Sequence, residues 1–181
     1  MKQLLLPALL AALLAGCGST PTSETGGAPV ESRGQGTGTG VSTVVAPTPD
    51  GSGLPRELTD PKSVLSKRSV YFDLDKYDVK DEYKELVAAH AKFLAANRQF
   101  KMLLQGNTDE RGSHEYNLSL GQKRADAVKK SLLLLGAKED QIESVSLGEE
   151  KPKAEGHDES AWSQNRRADM LYKGPTGNGE F

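Results

Sequence analysis

Between residues 69 and 173 the apolar side chains recur at two spacings, and each change of spacing marks the end of an element. "SVYFDL" (69–74) is β-branched and aromatic and runs into the turn-forming "DKYD" (75–78), which predicts a short strand. "DEYKELVAAHAKFLAAN" (81–97) moves to helical spacing, with Leu86, His90, Phe93 and Leu94 on one face. Asp81 and Glu82 suit the positive first turn of that helix, and Asn97 is its stop. "FKMLLQG" (100–106) returns to strand character and is closed by Gly106. A second helix is predicted from Tyr116 or Asn117 to Leu135, because Leu118, Gly121, Ala125, Val128, Leu132 and Leu135 recur on one side and Gly136 supplies a left-handed end. "QIESVSLG" (141–148) and "RRADMLYK" (166–173) are further strands, with a short helical turn in "DESAWSQN" (158–165) between them. The order β-α-β-α-β-(short α)-β predicts an α+β domain over 61–173, four strands with helices on one face.

Outside that span the pattern changes character. Residues 1–16 have a short basic start and an apolar run, "LLLPALLAALLAG", too short for a comfortable membrane span, and read as a secretory signal peptide. It ends in Leu14-Ala15-Gly16-Cys17, which resembles the lipobox of bacterial lipoproteins. That resemblance implies cleavage before Cys17 and acylation, palmitate included, of the new N-terminus. Gly18 stands where an Asp would favour inner-membrane retention, so the resemblance implies the outer membrane. From there to residue 60 the chain is rich in Ser, Thr, Gly and Pro and cannot bury enough apolar surface to order itself. As a coil it would reach roughly 35 to 40 Å. The final "GPTGNGEF" (174–181) has no pattern and is expected to be loose.

Composition narrows the chemistry. Only 36% of the 181 residues are hydrophobic, enough for one modest domain and its tails. A net charge of -2 and a pI near 6.0 provide no field for nucleic acid. Cys17 is the single cysteine, so the chain makes no internal disulfide and no multi-thiolate metal site. No nucleophile motif, metalloprotease motif or phosphate loop occurs, and "HDE" (157–159) cannot converge on one ion from a helix or strand. An enzyme is therefore not expected, and neither a metal nor a cofactor is.

The loop "TDERG" (108–112) before the second helix is the candidate site. Three uses compete: catalytic carboxylates, a metal loop, or recognition of a ligand carrying both charges. Arg111 beside Asp109 and Glu110 depresses both carboxyls, against the raised pKa a catalytic acid needs. For recognition, the helix start exposes backbone N–H groups, Arg124 lies about two turns in with a fork suited to a carboxylate, and Asp109 suits an ammonium. The alternative is structural: Asp109 caps the turn or pairs with Arg124, while Glu110 and Arg111 are solvated.

"YFDLDKYDV", "TDERGSHEYNLSLGQKRADAVK" and "VSLGEEKPKAEGHDESAWSQNRRADMLY" together resemble the peptidoglycan-associated lipoproteins of the OmpA-like domain family, across the whole folded region. The resemblance implies an OmpA-like sandwich of helices on a mixed four-stranded sheet. It also implies non-covalent binding of meso-diaminopimelate in peptidoglycan stem peptides, and a part in the Tol-Pal system of envelope integrity and cell division, with TolB and the Tol complex as partners. The domain would face the periplasm from a lipid anchor in the outer membrane. By the same resemblance Asp109 and Arg124 are the ligand pair, with Glu110, Arg111, Gly112, Phe72, Asp73, Asn117, Leu120 and Arg167 lining the site. Phe72 has an equal reading as plain core, and Asn165 and Arg166 are assigned to structure and rim. Asn107 stands where the family most often has His, and the long tether and the C-terminal tail are not part of its common pattern.

Overall fold

The computed structural model describes residues 53–181; the predicted leader, Cys17 and the tether up to residue 52 lie outside the described residues. Four strands, β1 (Ser69–Tyr71), β2 (Lys101–Asn107), β3 (Ile142–Gly148) and β4 (Arg167–Lys173), form one sheet in the order β1-β4-β2-β3. β2 and β3 are parallel, while β4 runs antiparallel to both β1 and β2, so the sheet is mixed. Alternate residues of each strand, Val70, Met102, Leu104, Ile142, Ala168, Met170 and Tyr172, are buried on one face. Helices α2 (Lys84–Ala96) and α3 (His114–Leu134) belong to the same core; α2 brings Phe93 edge-on to Tyr172, with ring centroids 5.5 Å apart. A short helix α4 (Glu159–Asn165) leads into β4. The predicted order of elements and the α+β class are those observed.

The ends of the elements follow local chemistry. α3 starts at His114, two or three residues earlier than predicted, because the Ser113 hydroxyl caps it by accepting from Tyr116 N–H at 3.2 Å. It ends as expected at Gly136, φ 103°, where Gly136 N–H reaches Leu133 O and Ala137 N–H reaches Leu132 O, both at 3.1 Å. Its buried stripe is Asn117, Leu120, Gly121, Arg124, Ala125, Val128 and Leu132, rotated from the predicted one, and Leu135 is exposed. Two polar residues take core-facing positions there: Arg124 is met by backbone carbonyls and the Asn117 amide nitrogen by Glu149, while Asn117 Oδ1 has no partner among the described residues.

One close approach fixes α3 against β2. A Cβ on Gly106 would lie 1.8 Å from Gly121 O, and one on Gly121 would lie 2.3 Å from Ser146 Oγ and 2.8 Å from Gly106 O. Only the glycine pair admits this contact, which sets the residues one turn along α3 directly beneath the end of β2.

Two boundaries differ from the sequence reading. The folded unit begins before residue 61: a one-turn helix α1 (Arg56–Thr59) buries Leu58, and Leu54 is buried as well. Two isolated leucines are too few to produce a readable period, yet each is 1% exposed. The C-terminal residues, expected to be loose, turn back on β4, with Gly174 N–H to Asn178 O at 2.7 Å and Glu180 N–H to Tyr172 O at 2.8 Å. The Glu180 carboxylate also pairs with Arg68.

Candidate functional site

Antiparallel pairing of β4 with β2, Gly106 opposite Ala168, lays the start of β4 beside the chain leaving β2. The loop 108–112, the start of α3, the turn after β1 and Arg166 then enclose a cavity of about 280 Å³. Its walls include Asp109, Arg111, Gly112, Asn117, Leu120 and Arg124 from the predicted set, joined by Leu74, Asp75, Thr108, Tyr116 and Arg166.

Arg124 is fully buried. Its Nε donates to Lys76 O at 2.9 Å, Nη1 to Asn107 O at 2.8 Å and Nη2 to Asp73 O at 3.2 Å, while its guanidinium lies 5.3 Å from the Phe72 ring centroid. Three of its five N–H groups are thus used, and Arg124 is among the residues that line the cavity. Burial pushes its pKa down to about 10, partly countered by the nearby Asp109, so it is a cation at neutral pH.

Asp109 is 3% exposed and makes its ion pairs elsewhere than Arg124. Arg111 Nη2 reaches its Oδ2 at 2.7 Å and Arg166 Nη1 reaches the same oxygen at 3.2 Å. Burial alone would raise this carboxyl; hydrogen bonds from the Arg111 side chain and backbone and from Arg166 outweigh it and hold the pKa below the ordinary value. The internal Asp109–Arg124 pair is therefore not formed. Arg166 is itself held by Glu159 and by donating Nε to Phe72 O at 3.1 Å. The Asp75 carboxylate accepts from the Tyr116 hydroxyl at the rim, and Asn117 donates to Glu149 behind it.

Four predicted site residues point elsewhere. Phe72 is buried in the core and does not line the cavity; its ring lies by the Arg124 guanidinium and its carbonyl holds Arg166. The Asp73 carboxylate is exposed and paired with Lys80 at 2.6 Å; its carbonyl is what Arg124 binds. β1 ends at Tyr71, but the alternation runs on with Phe72 buried and Asp73 exposed, so the Asp73 side chain faces away from the site. Glu110 turns outward to His157 at 2.7 Å and Trp162 Nε1 at 2.9 Å, bordering a separate cavity; those two hydrogen bonds lower its pKa, and Glu110 in turn raises that of His157. Arg167 is buried on Asp169 at 2.8 Å and Lys151 O at 3.1 Å and does not border the cavity. The adjacent Arg166 takes the place given to it, a one-residue difference that reverses side in the pleat. Asn107 is buried with its amide on Gln105 O at 3.0 Å, and its carbonyl serves Arg124. Among the described residues, His114, Glu149 and Glu150 bring possible ligand atoms within 4.8 Å of one another, at the surface.

The profile of the OmpA family matches residues 71–166. The peptidoglycan-associated lipoprotein of Pseudomonas putida is 41% identical over 165 residues, 90% of this chain and 92% of that protein. That of Pasteurella multocida (strain Pm70) is 53% identical over 104 residues, 58% of this chain and 69% of its own length. Among solved structures, the peptidoglycan-associated lipoprotein from Burkholderia pseudomallei superposes with a TM-score of 0.64 at 59% identity, covering 65% of this chain and 99% of that one. The C-terminal domain of Helicobacter pylori MotB shares the fold at 18% identity, with a TM-score of 0.55 over 59% of this chain and 84% of that one.

Proposed function

From the chain's membership of the OmpA family, in its peptidoglycan-associated lipoprotein branch, we propose that the domain binds the diaminopimelate end of peptidoglycan stem peptides and does no chemistry on them. The observation that carries this reading is a buried arginine, Arg124, with three of its five N–H groups engaged, lining a cavity of about 280 Å³ that a buried aspartate also borders. A cavity of that size suits the tip of a side chain rather than a glycan strand. The side-chain end of diaminopimelate carries both an ammonium and a carboxylate. Arg124 takes the carboxylate and Asp109 the ammonium. Lysine in the same place has only the ammonium and would leave the buried arginine donors unpaired, which is the basis of rejection.

Titration calorimetry with the tripeptide L-Ala–γ-D-Glu–meso-diaminopimelate tests this, run beside thermal melts. Arg124→Ala should cost about 2 to 5 kcal/mol of binding, roughly 30-fold to a few thousand-fold. Because Arg124 also holds three carbonyls, Arg124→Lys is the control: it keeps the charge, loses the fork and should still bind markedly more weakly. Near-wild-type affinity in a folded Arg124 variant refutes the reading.

We extend it to the whole chain. Cys17 carries lipid into the outer membrane, residues beyond it tether the domain, and the domain holds the wall, within the Tol-Pal system and with TolB as a partner. Among the described residues no helix is long and apolar enough to cross a membrane. Cys17→Ser should abolish acylation and leave a soluble or unprocessed secreted form, as read by membrane fractionation, and co-purification of TolB with the tagged chain checks the partner.

A further inference from the structure

We infer that Arg111 is a specificity-determining gate: its side chain occupies the ammonium position on Asp109 in the free protein and must swing away before a ligand can bind there. The inference rests on the diaminopimelate reading above and deepens it. A carboxylate offers about four acceptor positions. On Asp109 all four are taken: Oδ1 by Arg111 N–H at 3.1 Å and Arg111 Nε at 3.2 Å, Oδ2 by Arg111 Nη2 at 2.7 Å and Arg166 Nη1 at 3.2 Å. A ligand ammonium has no acceptor there until a donor leaves.

The donors differ in how firmly they are fixed. The Arg111 amide is part of the loop. Arg166 has a side chain only 6% exposed and is tied to Phe72 O and Glu159. The Arg111 side chain is 34% exposed and is held from the solvent side by one stacking contact, its guanidinium 4.0 Å from the Trp162 ring centroid. It is the one that can move, and its departure frees one position on each oxygen. Trp162 is a shelf on which it can slide, with Glu159, 3.8 Å from Nη2, to receive it.

The exchange is of one cation for another, so the buried carboxylate never stands uncompensated. That gives selectivity. A ligand bearing an ammonium replaces what Arg111 supplied, whereas a dicarboxylate without amines, such as pimelate, supplies nothing and leaves the gate shut. Discrimination of this kind comes from opposing the wrong ligand as well as from attracting the right one.

Calorimetric titration of the full chain with the same tripeptide and with pimelate tests the gate. Arg111→Gln removes the competing cation, so the tripeptide should bind about 2- to 5-fold tighter, the range expected for removing a partly exposed ion pair. Pimelate should bind no better, since the uncovered Asp109 repels it. Unchanged or weaker tripeptide binding in Arg111→Gln overturns the gate. Failure of the wild-type chain to bind the tripeptide overturns the diaminopimelate reading and the gate with it. A measurement on the wild-type protein stands apart from any folding defect in the variant: the Arg111 Nε–H resonance should be protected from solvent exchange in the free protein and lose protection at saturating tripeptide. Retained protection overturns the proposal.

Discussion

Arg124 and His90 lie on helix faces that otherwise pack apolar side chains, and each is accommodated by a specific set of acceptors and donors. Arg124 gathers the carbonyls of Asp73, Lys76 and Asn107, tying the turn after β1 to the end of β2. His90 sits fully buried with Nδ1 2.8 Å from the Tyr172 hydroxyl and Nε2 2.9 Å from Lys67 O, an arrangement met by the neutral ring donating from Nε2 and accepting at Nδ1. Burial pushes its pKa down from 6.5 to about 4. As pH falls below about 6.5 the unfolded chain takes up this proton and the native protein does not until near 4, so stability is lost across that window, by about 3 kcal/mol in all. Urea unfolding at a series of pH values should show this slope in the wild type and lose it in His90→Asn. Asp109, with a lowered pKa, contributes its own loss only below about 3.8, so the two titrations separate.

At the level of elements, the site depends on how closely α3 lies against β2. The paired glycines Gly106 and Gly121 bring backbone to backbone, and Arg124 follows one turn later on the same helix. In Gly121→Val the new Cβ would meet Gly106 O and Ser146 Oγ inside contact distance, and the helix must lift. The expected cost is about 1 to 3 kcal/mol of stability, the range for overpacking. Tripeptide affinity should fall by more than unfolding accounts for, because lifting α3 withdraws Arg124 from the carbonyls that aim it. Melts and titrations of one preparation decide whether the two losses are separable.

For the molecule as a whole, the two ends of the described chain meet at Arg68. Its guanidinium donates to Leu58 O near the N-terminal side and pairs with Glu180 in the returning C-terminal turn, while Nε donates to Leu65 O at 2.9 Å. Residues 53–60 are therefore part of the folded unit rather than the last stretch of tether. A chain starting at Pro61 forfeits the burial of Leu54 and Leu58 and should be less stable by about 3 to 5 kcal/mol than one starting at Gly53, as read by the urea midpoint. Equal midpoints would return the domain boundary to residue 61.

The periodicity of α2, the stop at Gly136, the strand order along the chain and the charged loop before α3 were legible because each rests on neighbours within a few residues. Fold class followed from them, since alternating strands and amphipathic helices have few ways to bury their apolar sides. The same locality singled out Asp109 and Arg124, and both line the cavity. It did not show that Arg166 is the second partner of Asp109, that Arg166 rather than Arg167 borders the cavity, or that the carbonyls of Phe72 and Asp73 hold Arg166 and Arg124. Those outcomes depend on β4 inserting between β1 and β2, which brings residue 166 beside residue 109, and on the pleat at that point. Register and long-range strand pairing are collective properties of the assembled core, so the partners of a buried charge are chosen only when the sheet closes around it.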